Sequence, residues 1–109
     1  MALENTLMAL RPNLVFVFTD QQNSQVLGCE NSELKTPAMD AIAAAGTRFS
    51  NAYCTQPLCS PARASMFSGV MPHQCGVTRN GQVFAESVKA HEMGTVFSQA
   101  GYECAYAGK

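Results

Sequence analysis

The hydrophobic positions of the chain form three short apolar runs, and helix-like periodicity fills much of the sequence between them. Residues 13–19, NLVFVFT, are a continuous β-branched and aromatic run bounded by Pro12 and Asp20. A short run that is apolar on both faces is typical of a central strand in a parallel sheet. A second short strand is predicted at TRFSNAYC, residues 47–54, and a third begins at YECAYA, residues 102–107.

Three helices are predicted between and after these runs. In the first, Thr36 is placed to cap, Pro37 to open the helix and Gly46 to end it, as the preferences of these residue types suggest. The second is predicted over residues 61–68, with Ser60 as its N-cap and Gly69 as its stop. The third begins at Ser87 or His91 and runs to Ala100, with Gly101 after it. Residues 21–36 and 71–87 are predicted to be mostly loop.

Alternation of strands and helices indicates an α/β layer architecture. Two or three strands with their helices would leave a doubly wound sheet with unpaired edges and an uncovered face. We therefore expect residues 1–11 to be a tail and residues 12–109 to be the amino-terminal portion of a larger α/β domain, with its sheet incomplete. A complete small α/β domain is the alternative.

Composition narrows the functional classes. The 109 residues are 47% hydrophobic and 14% charged, with a formal net charge of −1, which gives no electrostatic reason to expect nucleic acid or an anionic membrane as partner. No apolar run is long enough to span a bilayer. The amino end, MALENTLMALRPN, lacks a basic start followed by an apolar block, so no secretory signal is visible and a cytoplasmic location is expected.

The five cysteines are an odd number, and their spacings match no zinc pattern. Reduced thiols packed as small apolar groups are the simplest interpretation. One of them, Cys59, lies in the stretch QPLCSPARASMFSG, residues 56–69, where a thiol, a predicted helix start and an arginine come close together.

The predicted start of the second helix places its unpaired amide hydrogens beside Cys59. That end of a helix carries partial positive charge and suits a tetrahedral oxyanion. Arg63 follows Cys59 by about one helical turn, and its planar fork of donors matches sulfate or phosphate oxygens. The stretch thus predicts an anion pocket with a sulfur at its edge. The alternative is a capped helix with a buried thiol and a surface arginine.

CSPAR fits the C-x-P-x-R signature of the sulfatases, and a longer resemblance surrounds it. PNLVFVFTD, TPAMDAIAAAGTRFSNAYCTQPLCSPARASMFSG and AGYECAYAGK all resemble sulfatase segments in their family order, over nearly all of residues 12–109. The resemblance implies an alkaline-phosphatase-like α/β fold and hydrolysis of a sulfate monoester. In that family a formylglycine-generating enzyme oxidises the signature cysteine to formylglycine, whose hydrate attacks sulfur. The matching position is Cys59, and Arg63 would hold the hydrate.

The resemblance also implies a divalent metal, with Ca²⁺ expected and Mg²⁺ or Mn²⁺ as alternatives. Asp20 ends the first predicted strand, where parallel sheets usually present their sites, and it matches a metal-binding aspartate of the family. Many sulfatases have a second aspartate next to it. This chain has Gln21, as in the choline-sulfatase and phosphonate monoester hydrolase branch. The implied metal ligands are Asp20, Gln21 and Cys59. On local grounds alone, Asp20 could equally be a cap or loop anchor.

Two further residues match substrate-binding positions. Asn80 in VTRNG corresponds to an asparagine that contacts the anionic group in the same branch, although on local grounds it suits a turn before Gly81. Lys109 follows the third predicted strand, where the family has a lysine that grips a sulfate oxygen.

The sequence is compatible with three functions. The first is hydrolysis of a small-molecule or saccharide sulfate ester. The second is hydrolysis of a phosphonate or phosphate diester in the same pocket, and the third is a non-catalytic anion- or metal-binding module with Cys59 left as a thiol. Full-length relatives supply more metal ligands and a general-acid histidine from later in the chain. The isolated 109 residues are therefore expected to be inactive and poorly folded.

Overall fold

The computed structural model describes residues 11–109, so the predicted tail lies outside the described residues except for Arg11. One compact unit ends at Gly46, and a second spans Thr47–Lys109. The elements in chain order are a 3-10 turn at Ser24–Val26 and the helices α1 (Pro37–Ala45), α2 (Cys59–Ser68), α3 (Pro72–Cys75), α4 (Glu86–Lys89) and α5 (Met93–Gln99).

In the first unit, a loop is tied to the start of α1. The Gly28 N–H donates to Thr36 Oγ1 at 2.7 Å, and the Cys29 N–H donates to Asp40 Oδ1 at 3.0 Å. The Thr36 hydroxyl donates in turn to Asp40 Oδ1 at 3.0 Å. Thr36 is the N-cap residue, Pro37 opens the helix and Gly46 follows it, so this helix prediction is confirmed. The Thr36 hydroxyl, however, bonds the loop rather than the helix's own amides.

The predicted strands are not observed. Residues 13–19, 47–54 and 102–107 lack strand structure, and no strand occurs anywhere in residues 11–109. Val15 and Val17 are 86% and 80% exposed. A strand gains its backbone hydrogen bonds from a neighbouring strand, and no described segment pairs with any of these three. The doubly wound sheet is therefore a prediction about a larger domain that the described residues do not display.

The second unit is organised around α2, which packs against α3 and α5. Pro61, Ala64, Ser65 and Ser68 form its buried face. The two buried serines satisfy their hydroxyls locally: Ser65 Oγ donates to the Val70 carbonyl and Ser68 Oγ to the Ala64 carbonyl, both at 2.7 Å. The adjoining core consists of Ala64, Cys75 and Val77, with Val70, Phe84 and Val88 packed against it.

Helix α2 begins at Cys59, two residues earlier than predicted, and its N-cap is Leu58 rather than Ser60. Pro61 is therefore the third helical residue. This is physically permissible because the amides of the first turn have no intrahelical acceptor, so a missing N–H costs nothing there. The first internal hydrogen bond runs from the Ala62 N–H to the Leu58 carbonyl at 3.0 Å. Cys59 thus lies inside the first turn, not in front of it.

Residues 71–87 are mostly loop, as predicted, apart from α3 and the start of α4. Of the two starts predicted for the last helix, His91 lies two residues before α5, whereas Ser87 falls in the separate helix α4. Glu92 starts α5 because its side chain accepts from the Thr95 N–H at 2.9 Å, which provides a new N-cap.

None of the helices within residues 11–109 is long and apolar enough to cross a bilayer.

The left-handed residue at the end of α2 can be tested by substitution in the full-length natural protein. Gly69 has φ 71°, in the left-handed region, and a Cβ built there would meet nothing within 4 Å. Gly69→Ala should therefore lower the free energy of unfolding by about 1 kcal/mol through backbone strain alone. Gly69→Asn should lose less, because asparagine tolerates this conformation. Urea unfolding measures both, and unchanged stability in Gly69→Ala would contradict the assigned helix end.

Candidate active site

Cys59 is half-buried at the amino end of α2. Pro61, among the largest fully buried side chains of the described residues, fixes this first turn against the core. The amide hydrogens of a first turn point out along the helix axis, where the helix dipole is positive. In this turn, however, Pro61 has no amide hydrogen, and the N–H groups of Leu58 and Ser60 already donate to Gln56 and Asn80. The row of unpaired amides that the sequence predicted beside Cys59 is therefore largely satisfied within the protein.

The side chain of Lys109 contacts this sulfur, and Arg63 contacts the backbone of Lys109. Lys109 Nζ donates to Cys59 Sγ at 3.7 Å, and Arg63 Nη1 donates to the Lys109 carbonyl oxygen at 3.4 Å. The structure thus brings together Cys59, Arg63 and Lys109, which lie up to 50 residues apart along the chain. An ammonium and a guanidinium next to a helix amino end form an environment suited to an anion.

An aromatic pair lies next to the two cations, and sequence reasoning missed it. The Tyr106 hydroxyl donates to the Lys109 carbonyl oxygen. Its ring meets Phe67 of α2 edge to face, with centroids 5.9 Å apart. Phe67 follows Arg63 by four positions, so both side chains lie on the same face of the helix. The four-residue spacing in the sequence could have indicated that Phe67 lies beside Arg63. It could not show that Tyr106 packs against Phe67.

Asn80 also reaches the site. Its Oδ1 accepts a hydrogen bond from the Ser60 N–H at 3.0 Å, across 20 residues of sequence. Asn80 thus satisfies one of the unpaired amides of the first turn of α2. The hydrogen bond has a second consequence: because an anion cannot donate to the side-chain oxygen, Asn80 can meet an anionic group only through Nδ2.

Asp20 and Gln21 belong to the first unit and are both exposed. Gln21 has φ 56°, and it is the one non-glycine residue with a positive φ in the described chain. Such a backbone is uncommon outside glycine, asparagine and aspartate, and it is found more often at functional sites than elsewhere. No group of three or more His, Cys, Asp or Glu side chains that could hold a metal occurs within residues 11–109.

The implied metal ligands differ in how well their donor atoms suit Ca²⁺ or Mg²⁺. The carboxylate of Asp20 and the carboxamide oxygen of Gln21 are hard ligands of the kind that Ca²⁺ and Mg²⁺ take. The Cys59 thiol is a soft ligand and suits neither ion. Residue 59 would fit the same donor set only when it carries oxygen in place of sulfur.

All five cysteines are reduced thiols. Cys75 is fully buried, which confirms the prediction of an apolar role for that residue. The same prediction was wrong for Cys29, Cys54 and Cys104, which are exposed.

Comparison with known proteins adds independent information. The family model described as Sulfatase matches residues 12–109. An uncharacterized sulfatase of Escherichia coli, YidJ, is 40% identical over 91% of the chain and 20% of its own length. An N-acetylglucosamine-6-O-sulfatase of Bacteroides thetaiotaomicron is 37% identical over 91% of the chain and 18% of its own length. A choline-sulfatase of Rhizobium meliloti is 33% identical over 91% of the chain and 19% of its own length.

The chain therefore spans about a fifth of the length of these curated relatives. No solved structure matches it. The family model covers almost the whole chain, including the CSPAR signature and every residue of the candidate site. The chain belongs to the sulfatase family.

Proposed function

We propose that the protein containing this chain is a sulfatase that hydrolyses a sulfate monoester to an alcohol and sulfate, with residue 59 as nucleophile. The observation that carries this proposal is the convergence of Cys59, Lys109 and Asn80 at the amino end of α2. The alkaline-phosphatase-like α/β fold of the family would place this end of α2 in the catalytic domain.

The proposed nucleophile is formylglycine, made from Cys59 by a formylglycine-generating enzyme. One hydroxyl of the hydrated aldehyde attacks sulfur, the ester S–O bond breaks, and the alcohol leaves with a proton. The second hydroxyl then loses its proton and re-forms the carbonyl, and the C–O bond to sulfate breaks. This is covalent catalysis with a built-in release step. A thiolate could attack, but its adduct would have no such internal route to breakdown.

The cations have separate roles in this proposal. Lys109 lies within hydrogen-bonding reach of the atom at position 59, so it would hold a sulfate oxygen during attack. Arg63 would orient the aldehyde hydrate and offset negative charge, while its contact with the Lys109 carbonyl keeps the two residues together. Preorganised donors aimed at developing charge are a major source of catalysis in sites of this type.

A divalent metal, proposed to be Ca²⁺ with Mg²⁺ or Mn²⁺ as alternatives, would be held by Asp20, by the carboxamide oxygen of Gln21 and by an oxygen of modified residue 59. When bound, it would supply positive charge that favours ionisation of the hydrate and binding of the sulfate group. Ca²⁺ takes six to eight oxygen ligands, so other parts of the protein would complete the coordination.

The substrate class follows from chemistry shared with the relatives. Two of them are named for an N-acetylglucosamine 6-O-sulfate and for choline sulfate, and others act on ulvan or on hexuronate sulfates. We therefore propose a saccharide or small-molecule sulfate ester as substrate. The Lys109, Arg63 and Asn80 donors would recognise the sulfate group that all these substrates share.

The nucleophile is tested in the full-length protein from its own organism. Peptide mass spectrometry should find formylglycine at position 59, and Cys59→Ala should reduce turnover of 4-nitrophenyl sulfate at least about a thousandfold. Cys54→Ala, which removes an exposed thiol of the same unit, should keep wild-type turnover. Full-rate sulfate hydrolysis with unmodified cysteine at position 59 would overturn the mechanism. Faster turnover of a phosphonate monoester than of the sulfate would favour the diester hydrolase. Absence of both activities would favour a binding module.

The role of Lys109 is tested by binding of inorganic sulfate to the Cys59→Ala protein. Lys109→Ala in that background should weaken sulfate binding roughly tenfold or more, because a charge-assisted hydrogen bond is lost. Lys89→Ala is the matched control, since Lys89 is exposed and pairs with Glu86 at 2.6 Å. Calorimetry measures both affinities, and equal losses in the two variants would show that only overall charge matters.

Metal dependence gives a further test. Chelation should abolish turnover of 4-nitrophenyl sulfate, and added Ca²⁺ should restore it. Asp20→Asn should raise the Ca²⁺ concentration needed for half-maximal recovery at least about tenfold, because one ligand charge is removed. Glu33→Gln removes an exposed carboxylate of the same unit and should leave the recovery curve unchanged. A normal recovery curve in Asp20→Asn would exclude Asp20 as a ligand.

A further inference from the structure

Residues 78–82, here called the clasp loop, make contacts with the amino end of α2 that the proposed mechanism does not use. Gln82 is half-buried in this loop. Its Oε1 accepts from the Thr78 N–H at 2.8 Å, from the Arg79 N–H at 3.0 Å and from the Thr78 hydroxyl at 3.2 Å. One side-chain oxygen therefore closes the loop on itself. Gly81, with φ 83°, provides the left-handed residue that the turn requires.

The closed loop is attached at two points to the segment that carries Cys59. Gln56 Nε2 donates to the Thr78 carbonyl at 2.9 Å, and the Ser60 N–H donates to Asn80 Oδ1 at 3.0 Å. Gln56 and Ser60 lie on either side of Leu58 and Cys59. The backbone that precedes and follows the proposed nucleophile is thus held by one short loop.

None of the three Oε1 contacts of Gln82 is with Cys59, Ser60 or Lys109, so its effect on the site must pass through the two attachments of the loop, Thr78 to Gln56 and Asn80 to Ser60. Without the Oε1 contacts, three donors of residues 78 and 79 lose their acceptor and the loop can open. Asn80 would then move away from Ser60, and the Ser60 N–H in the first turn of α2 would lose its hydrogen-bond acceptor. Frayed first turns are the usual result of a lost cap.

We propose that Gln82 is a positioning residue for the candidate active site: through the clasp loop and Asn80 it fixes the amino end of α2, and with it the orientation of residue 59. This inference rests on the proposed function where it is tested by sulfate-ester turnover. Its test by hydrogen exchange does not depend on that function. All three contacts of Gln82 use its side-chain carbonyl oxygen. A carboxylate can replace that oxygen, whereas a thioether of similar length cannot.

The experiment compares Gln82→Met, Gln82→Glu and a matched control in the full-length protein. The control is Gln74→Met, because Gln74 Oε1 likewise accepts from a backbone amide, that of Met71, at 3.0 Å. Gln82→Met should lower kcat for 4-nitrophenyl sulfate roughly ten- to hundredfold, since a misplaced nucleophile costs rate, with KM changed less than about threefold. Gln82→Glu should restore kcat to within about threefold of wild type, and Gln74→Met should leave it unchanged.

Hydrogen-exchange mass spectrometry of a peptide covering residues 58–63 gives the second readout. Exchange should be faster than wild type in Gln82→Met, and equal to wild type in Gln82→Glu and Gln74→Met. Unchanged exchange in Gln82→Met, or full kcat in an active enzyme carrying that substitution, would overturn the positioning role. If the wild-type protein hydrolyses no sulfate ester, the proposed function fails, and the exchange data still decide the role of Gln82.

Discussion

The hydrogen bond from the Ser60 N–H to Asn80 Oδ1 is the interaction on which the candidate site depends. It joins the first turn of α2 to a loop 20 residues later and satisfies an amide that would otherwise face the anion site. The next residue, Pro61, is buried against the core. Before Cys59, the Gln56 side chain donates to the Thr78 carbonyl of the same loop. The backbone is therefore held both before and after residue 59.

The sequence could predict those helix ends that a proline or glycine sets within its own turn. Pro37 and Gly46 determined α1 because both act within their own turn. The start of α2 was misjudged because proline is acceptable anywhere in a first turn, where no amide has an intrahelical acceptor. Sequence alone could not show that Cys59, rather than Pro61, begins the helix. The start of the last helix stayed open between Ser87 and His91 because glutamate is an uncommon cap, so Glu92 did not mark the helix start in the sequence.

The candidate site was predictable as a set of residues but not as a network of contacts. Cys59 and Arg63 lie in one signature, so their proximity followed from helical spacing. Family resemblance supplied Asn80 and Lys109, and the structure brings both to the amino end of α2. Neither source pointed to Gln82, because a side chain that accepts from its own loop leaves no periodic or compositional trace. Contacts of this kind depend on loop geometry, which single residues do not encode.

The exposed apolar run at residues 14–17 has a consequence for handling the chain. Its side chains are between 55% and 86% exposed, and its backbone makes no ladder with any described segment. Such a run is β-prone and uncharged, and it can pair edge to edge with a copy of itself in another molecule. Aggregation during expression of these 109 residues alone would begin at this segment. Solubility of these residues would then depend on keeping this run out of contact with a second copy of itself.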